Sequence, residues 1–137
     1  MIRTLTLLFG PAAVVAAIDL SHKALEVSDR GGSVLAHDRP APYVAGLAAV
    51  TLAWGGAISL VRSASIALAG GLVLGGAIGN LASFALWPSV QGVPDPFVAE
   101  GIAFNLADVS AMLGLVLLVP AIVVFAARNR DRLFEPF

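Results

Sequence analysis

Residues 105–127 read NLADVSAMLGLVLLVPAIVVFAA and are closed by Arg128. After Asp108 the run carries no charge until that arginine. A hydrocarbon core about 30 Å thick takes roughly 20 mostly apolar residues in helical form, because a helix satisfies its own backbone where no water can. The stretch meets that demand, and three earlier runs repeat it, at about 2–20, 42–61 and 65–87. The first holds no charge between Arg3 and Asp19, and the second stops just before Arg62. The third is rich in glycine (Gly70, Gly71, Gly75, Gly76, Gly79), which lets helix backbones approach and predicts a central place in the packing. Pro11 and Pro120 fall inside spans, where membrane helices tolerate them. The fold expected is an all-α integral membrane protein, a four-transmembrane-helix bundle with short extracytoplasmic loops, forming a single membrane domain over 1–137.

Composition agrees. Of 137 residues 58% are hydrophobic and 12% charged, about half of the roughly 25% charge that solvates a soluble domain. Mean hydropathy is +0.91. A formal net charge of −1 gives no reason to expect nucleic acid as a partner. With no Cys, disulfides, thiolate metal sites and a Cys nucleophile are excluded, and His22 and His37 alone do not suggest a metal centre.

The first span has a competing reading as a cleaved signal peptide: Arg3, an apolar run from Leu5 to Ile18, then Ala16 and Ala17 as small residues near a cleavage point. Asp19 and Lys23 follow at once, and a retained helix is expected. Orientation follows from the basic residues. Arg3, Arg62, Arg128, Arg130 and Arg132 flank one set of helix ends; Lys23, Arg30 and Arg39 flank the other. The second set also holds seven of the nine acids: Asp19, Glu26, Asp29, Asp38, Asp95, Glu100 and Asp108. The positive-inside bias places both termini in the cytoplasm and the segments 20–41 and 88–104 outside.

Ionisable groups at the edge of a span are costly and invite a functional reading. Four polar positions gather at the outer end: Asp19, Asn80, and the pair Asn105 and Asp108, whose i,i+3 spacing puts them on one helical face. Asp95 sits in the loop before them, within Val93-Pro94-Asp95-Pro96-Phe97. This arrangement is able to bring two carboxylates together at the membrane surface. Each residue also has an ordinary use. Asn105 serves as an N-cap and Asp108 as a first-turn acid. Asn80 bonds another helix. Asp19 and Lys23, at i,i+4, form a helix-surface ion pair, and Asp95 is a common loop acid.

Taken in order, these residues resemble the signal peptidase II family, the lipoprotein signal peptidases of bacteria. Asp19-Leu20-Ser21-His22-Lys23 matches the family's Asp-x-x-x-Lys, and Gly75-Gly76-Ala77-Ile78-Gly79-Asn80 its Gly-Gly-x-x-Gly-Asn. Phe104-Asn105-Leu106-Ala107-Asp108 matches Phe-Asn-x-Ala-Asp, the most specific of the three. The resemblance implies a four-helix protein of the bacterial cytoplasmic membrane, both termini inside, with an aspartyl dyad facing the extracytoplasmic side. Asp108 takes the place of the family's second catalytic aspartate. Asp95 is the candidate for the first, with Glu100 next in line. Asn80, Asn105, Asp19 and Lys23 are then substrate-binding or dyad-orienting residues. The implied substrate is the signal peptide of a prolipoprotein with a lipid-modified Cys, reached through membrane lipid, with no metal or organic cofactor; the oligomeric state is left open.

The chain departs from the family pattern in three places. Leu81-Ala82-Ser83-Phe84 stands where Asp-Arg is usual after the Gly-Asn. The 24–45 region lacks the Asn-x-Gly-x-Ala-Phe segment and is short for the usual cradle, and the interval from Asp95 to Asp108 is short. These departures keep a second class in view, a catalytically inactive homologue or a structural or binding four-helix protein. A transporter is a weaker third reading, since Thr51 and Ser59 are the only polar residues of the second span besides its ring groups.

Overall fold

The structure, a computed structural model, describes residues 2–30, 34–37, 39–90 and 92–130. Asp38 and Arg132, both counted in the charge bias, lie outside these. Four helices are long and apolar enough to cross a membrane: α1 (Ile2–Asp29), α2 (Ala41–Leu60), α3 (Ala64–Leu86) and α4 (Leu106–Arg128). The last three fall within a residue of the expected spans. The first does not stop near position 20 but continues to Asp29. Side chains four apart carry it on: Lys23 pairs with Asp19 at 2.7 Å, and Arg30 with Glu26 at 2.9 Å. At 1.5 Å per residue its 28 residues span about 42 Å, so its last turns stand beyond a hydrocarbon core.

Helix starts follow local chemistry. Pro40 and Pro42 open α2, where the first N–H groups have no intrahelical acceptor to lose. Ser63 caps α3, its hydroxyl accepting from the Ile66 N–H at 3.5 Å. Asn105 caps α4.

The glycine-rich α3 is the most buried of the four and touches each of the others. A Cβ at Gly75 would lie 2.9 Å from the Ala12 Cα, so α1 sits directly on the bare backbone there. Contacts of Gly71 with Leu8 and Gly75 with Ala12 run α1 parallel to α3. Gly76 against Ala107 and Gly114 against Ala69 run α4 antiparallel, as Gly70 against Ile58 and Leu74 against Gly55 do for α2. The Trp54 indole N–H donates to the Gly70 carbonyl at 3.2 Å, and the Ser110 hydroxyl to that of Leu72 at 3.0 Å. Large apolar side chains such as Val50, Leu52, Val116 and Val123 face outward, as lipid requires.

This up-down order collects the end of α1, the start of α2, the end of α3 and the start of α4 at one end of the bundle. Short strands, for which the sequence carries no signal, organise the loops there. β1 (Ala36–His37) pairs antiparallel with β2 (Val93–Pro94), joining the first loop to the third. β3 (Phe97–Ala99) and β4 (Ile102–Phe104) form a hairpin, turning at Glu100 (φ 49°) and Gly101 (φ 82°). Two successive positive φ values make the tight turn that matches the twist of a hairpin. Phe97 stacks on His22 of α1, with ring centroids 5.0 Å apart, and contacts Phe104 at 5.5 Å.

Candidate active site

Asn105 and Asp108 form a reciprocal capping box. The Asn105 Oδ1 accepts the Asp108 N–H at 3.0 Å, and the Asp108 Oδ2 accepts the Asn105 N–H at 3.2 Å. The ordinary capping role is therefore present in full, but it leaves side-chain atoms over. The second Asp108 oxygen, Oδ1, accepts from the Asn80 Nδ2 at 2.9 Å. The Asn105 Nδ2 donates to the Asp95 Oδ1, and at 3.5 Å to the Pro94 carbonyl. One asparagine, itself buried, thus touches both carboxyl-bearing residues.

Asp95 reaches this position through the strand pairing of the loops. Its own N–H donates to the Leu35 carbonyl at 2.8 Å, just beyond the β1–β2 pair, and the residue is only 4% exposed. The β3–β4 hairpin then folds the intervening chain back on itself and delivers it to the cap of α4. The short interval between Asp95 and Asp108 is thus taken up by a single hairpin.

Behind Asn80 lies a second polar layer. Asp19 and Lys23 were expected on a helix surface; both are instead fully buried between α1, α3 and α4. The correction has a steric cause. A Cβ at residue 79 would come within 2.7 Å of the Asp19 Oδ2, so Gly79 is what admits the pair to the interior. The Lys23 ammonium forms an ion pair with the Asp19 Oδ2 (2.7 Å) and donates to the Asn80 Oδ1 (2.9 Å) and the Ser83 Oγ (3.1 Å). The Asp19 Oδ1 accepts the Ala107 N–H at 2.9 Å, one of the orphan donors of the first turn of α4.

Asn80, Asp95, Asn105 and Asp108 line one polar cavity of about 250 Å³, together with Arg39 and Tyr43 from the start of α2. The Arg39 guanidinium lies 5.0 Å over the Tyr43 ring. An apolar groove of about 620 Å³ runs along α2 and α3, with Phe9, Thr51, Leu74 and Ile78 among its walls. A second, of about 370 Å³, touches Asp108 from the side of Phe104, Val109 and Met112. Asp19 and Lys23 support the cavity without lining it. Glu100, the fallback carboxylate, sits exposed in the hairpin turn and does not line the cavity either.

Arg39, Tyr43 and Ser83 also belong to this constellation, although the motifs do not mark them as site residues. Ser83 had a readable signal, since it lies three residues after Asn80 and so shares its helical face. Arg39 and Tyr43 carried none beyond standing at the start of a span.

A buried asparagine thus stands between two acids at one end of a bundle of four membrane-length helices. Comparison with known proteins bears on the family. No curated protein and no solved structure matches the chain. A model of signal peptidase (SPase) II does match, over residues 32–124, well over half of the 137 residues, and the chain belongs to the signal peptidase II family.

Proposed function

We propose that this multi-pass membrane protein is an aspartyl endopeptidase that removes signal peptides from lipid-modified prolipoproteins, with Asp95 and Asp108 as its dyad. The observation that carries this reading is the shared cavity, in which the two residues are joined through Asn105. An aspartyl dyad works with one carboxyl ionised and the other protonated. The ionised member takes a proton from water as it attacks the scissile carbonyl. The protonated member polarises that carbonyl and later protonates the leaving amine. Asn80 and Asn105 aim N–H groups at the two carboxyls and fix their orientation.

The apolar groove along α2 and α3 suits the helix of a signal peptide entering sideways from lipid, with the bond to be cut lying in the polar cavity. The arginine bias argues that this end faces the extracytoplasmic side and that both termini are inside.

One observation favours the non-catalytic reading. Phe84, beside the cavity, stands where the family's usual Asp-Arg would bring a cation. Arg39 offsets this by bringing a guanidinium to the same cavity from the start of α2.

The test is cleavage of a diacylglyceryl-modified prolipoprotein by purified protein in detergent, with Asp95→Asn and Asp108→Asn beside the wild type. Loss of general acid or base should lower the rate on the order of 10²–10⁴-fold in each variant. Well-folded wild type that binds the substrate without cutting it, while a control peptidase cuts, would establish the binding reading instead.

A further inference from the structure

Two buried side chains stand outside the chemistry just described, Lys23 and its partner Asp19, and Lys23 touches it through the half-buried Asn80. An asparagine side chain has a carbonyl and an NH₂ at its two ends and turns about a broad, roughly two-fold torsion, so which end faces a neighbour depends on its partners. Lys23 is a donor only. Lying 2.9 Å from Asn80, it requires the carbonyl end to face it, and the NH₂ end then has to face Asp108, 2.9 Å away. Asn105 is oriented in the same manner, its carbonyl being claimed by the Asp108 N–H.

Resting on the dyad reading, we infer that Lys23 is a positioning residue: through the Asn80 amide it keeps an N–H donor on the Asp108 Oδ1, and so holds Asp108 as the carboxylate that accepts the proton of the attacking water. With the Asn105 N–H on Oδ2, both Asp108 oxygens then face donors and serve as acceptors. The charge of Lys23 also polarises the amide between them, as hydrogen-bond chains do in a low dielectric. Asp19 balances that charge and ties it to the start of α4 through the Ala107 N–H. Among the described residues the other charged or titratable groups at this cavity are Asp95 from the loop, and Arg39 and Tyr43 from the start of α2.

The variant Lys23→Met keeps the volume and removes the donor, but it strands the buried Asp19. The double variant Asp19→Asn/Lys23→Met removes a neutral pair, keeps an acceptor for the Ala107 N–H, and so separates amide orientation from loss of charge. Ser83→Ala takes away another bond of Lys23 without touching Asn80, and serves as the structural comparison.

Two readouts are taken on the full chain in lipid nanodiscs. The first is infrared spectroscopy of ¹³C-labelled aspartate, with the Asp108 carboxylate bands assigned by their loss in Asp108→Asn; it needs no turnover. The double variant should shift those bands as the N–H donor is lost, and Ser83→Ala should not. The second is the pH–rate profile of cleavage. In the double variant kcat should be about tenfold lower across that profile, with KM little changed. Bands that stay in place in a folded double variant would overturn the inference, as would a shift seen only in the single variant, which would mark a through-space charge effect. Absence of cleavage by wild type would count against the peptidase reading alone, because the infrared result stands without it.

Discussion

Asp108 closes the capping box of α4 through one oxygen and receives the Asn80 amide on the other, so a substitution that keeps the cap while moving the acid separates its two uses. Glutamate at the third position is the usual partner in a capping box. Asp108→Glu is therefore expected to unfold within about 1 kcal/mol of wild type, while kcat/KM falls on the order of 10²-fold, the penalty for displacing a reacting group by about 1 Å. Thermal unfolding and cleavage rates on one preparation check this, and full activity would argue that position 108 serves only the helix. Asp19 poses a different problem. Asp19→Ala leaves the Lys23 ammonium buried without its counter-charge, and breaking such a pair costs about 3–5 kcal/mol. The loss should be mostly recovered in Asp19→Ala/Lys23→Met, and a double-mutant cycle measures the coupling; additive losses would mean that the pair is not buried as described. Asn80, Asn105 and Asp108 were legible in the sequence because each is a polar residue in or at the edge of an apolar run. Burial of the Asp19–Lys23 pair was not legible, since an i,i+4 pair at the end of a span reads the same whether lipid headgroups or another helix lie over it. The deciding residue, Gly79, is sixty positions away from Asp19 in sequence and acts only by lacking a Cβ.

The helices could be read from their apolar runs, and the strands could not. Strands of two or three residues have no periodicity to detect, and Val93-Pro94 pairs with Ala36-His37 across the whole of α2 and α3. Their effect is nonetheless large, because they set where Asp95 stands relative to Asp108. The β3–β4 turn offers the cleanest probe. Gly101 has φ 82° and no atom within 4 Å of where a Cβ would stand, so the cost of a side chain there is backbone strain and not a clash. Gly101→Val should weaken the hairpin by about 1–3 kcal/mol. Faster hydrogen exchange over residues 97–104 and slower cleavage are expected together. Glu100→Asn places a residue that tolerates positive φ at the neighbouring position and should leave both unchanged. A large loss of cleavage in Glu100→Asn would instead return Glu100 to the candidates for a reacting carboxylate.

Across the molecule the acidic side chains of the described residues are sorted to one end. The buried pair of Asp19 and Lys23 with the half-buried Asn80, the cavity with Asp95 and Asp108, and the strand-bearing loops all lie where α1 and α3 finish and α2 and α4 begin. The opposite end carries Arg3, Arg62 and Arg128 beside the turn between α2 and α3. A lipid-modified substrate exported across the membrane meets only one of these ends, so the proposed chemistry requires the polar end to face outward. The cysteine-free chain allows a direct check. Ser89, exposed in the turn after α3, and Ser65, exposed in the first turn of that helix, lie at opposite ends. In intact cells Ser89→Cys should react with a membrane-impermeant maleimide, and Ser65→Cys only after permeabilisation. The reverse pattern would put the carboxylates on the cytoplasmic side, beyond the reach of an exported substrate, and would remove the peptidase reading however well the dyad is formed.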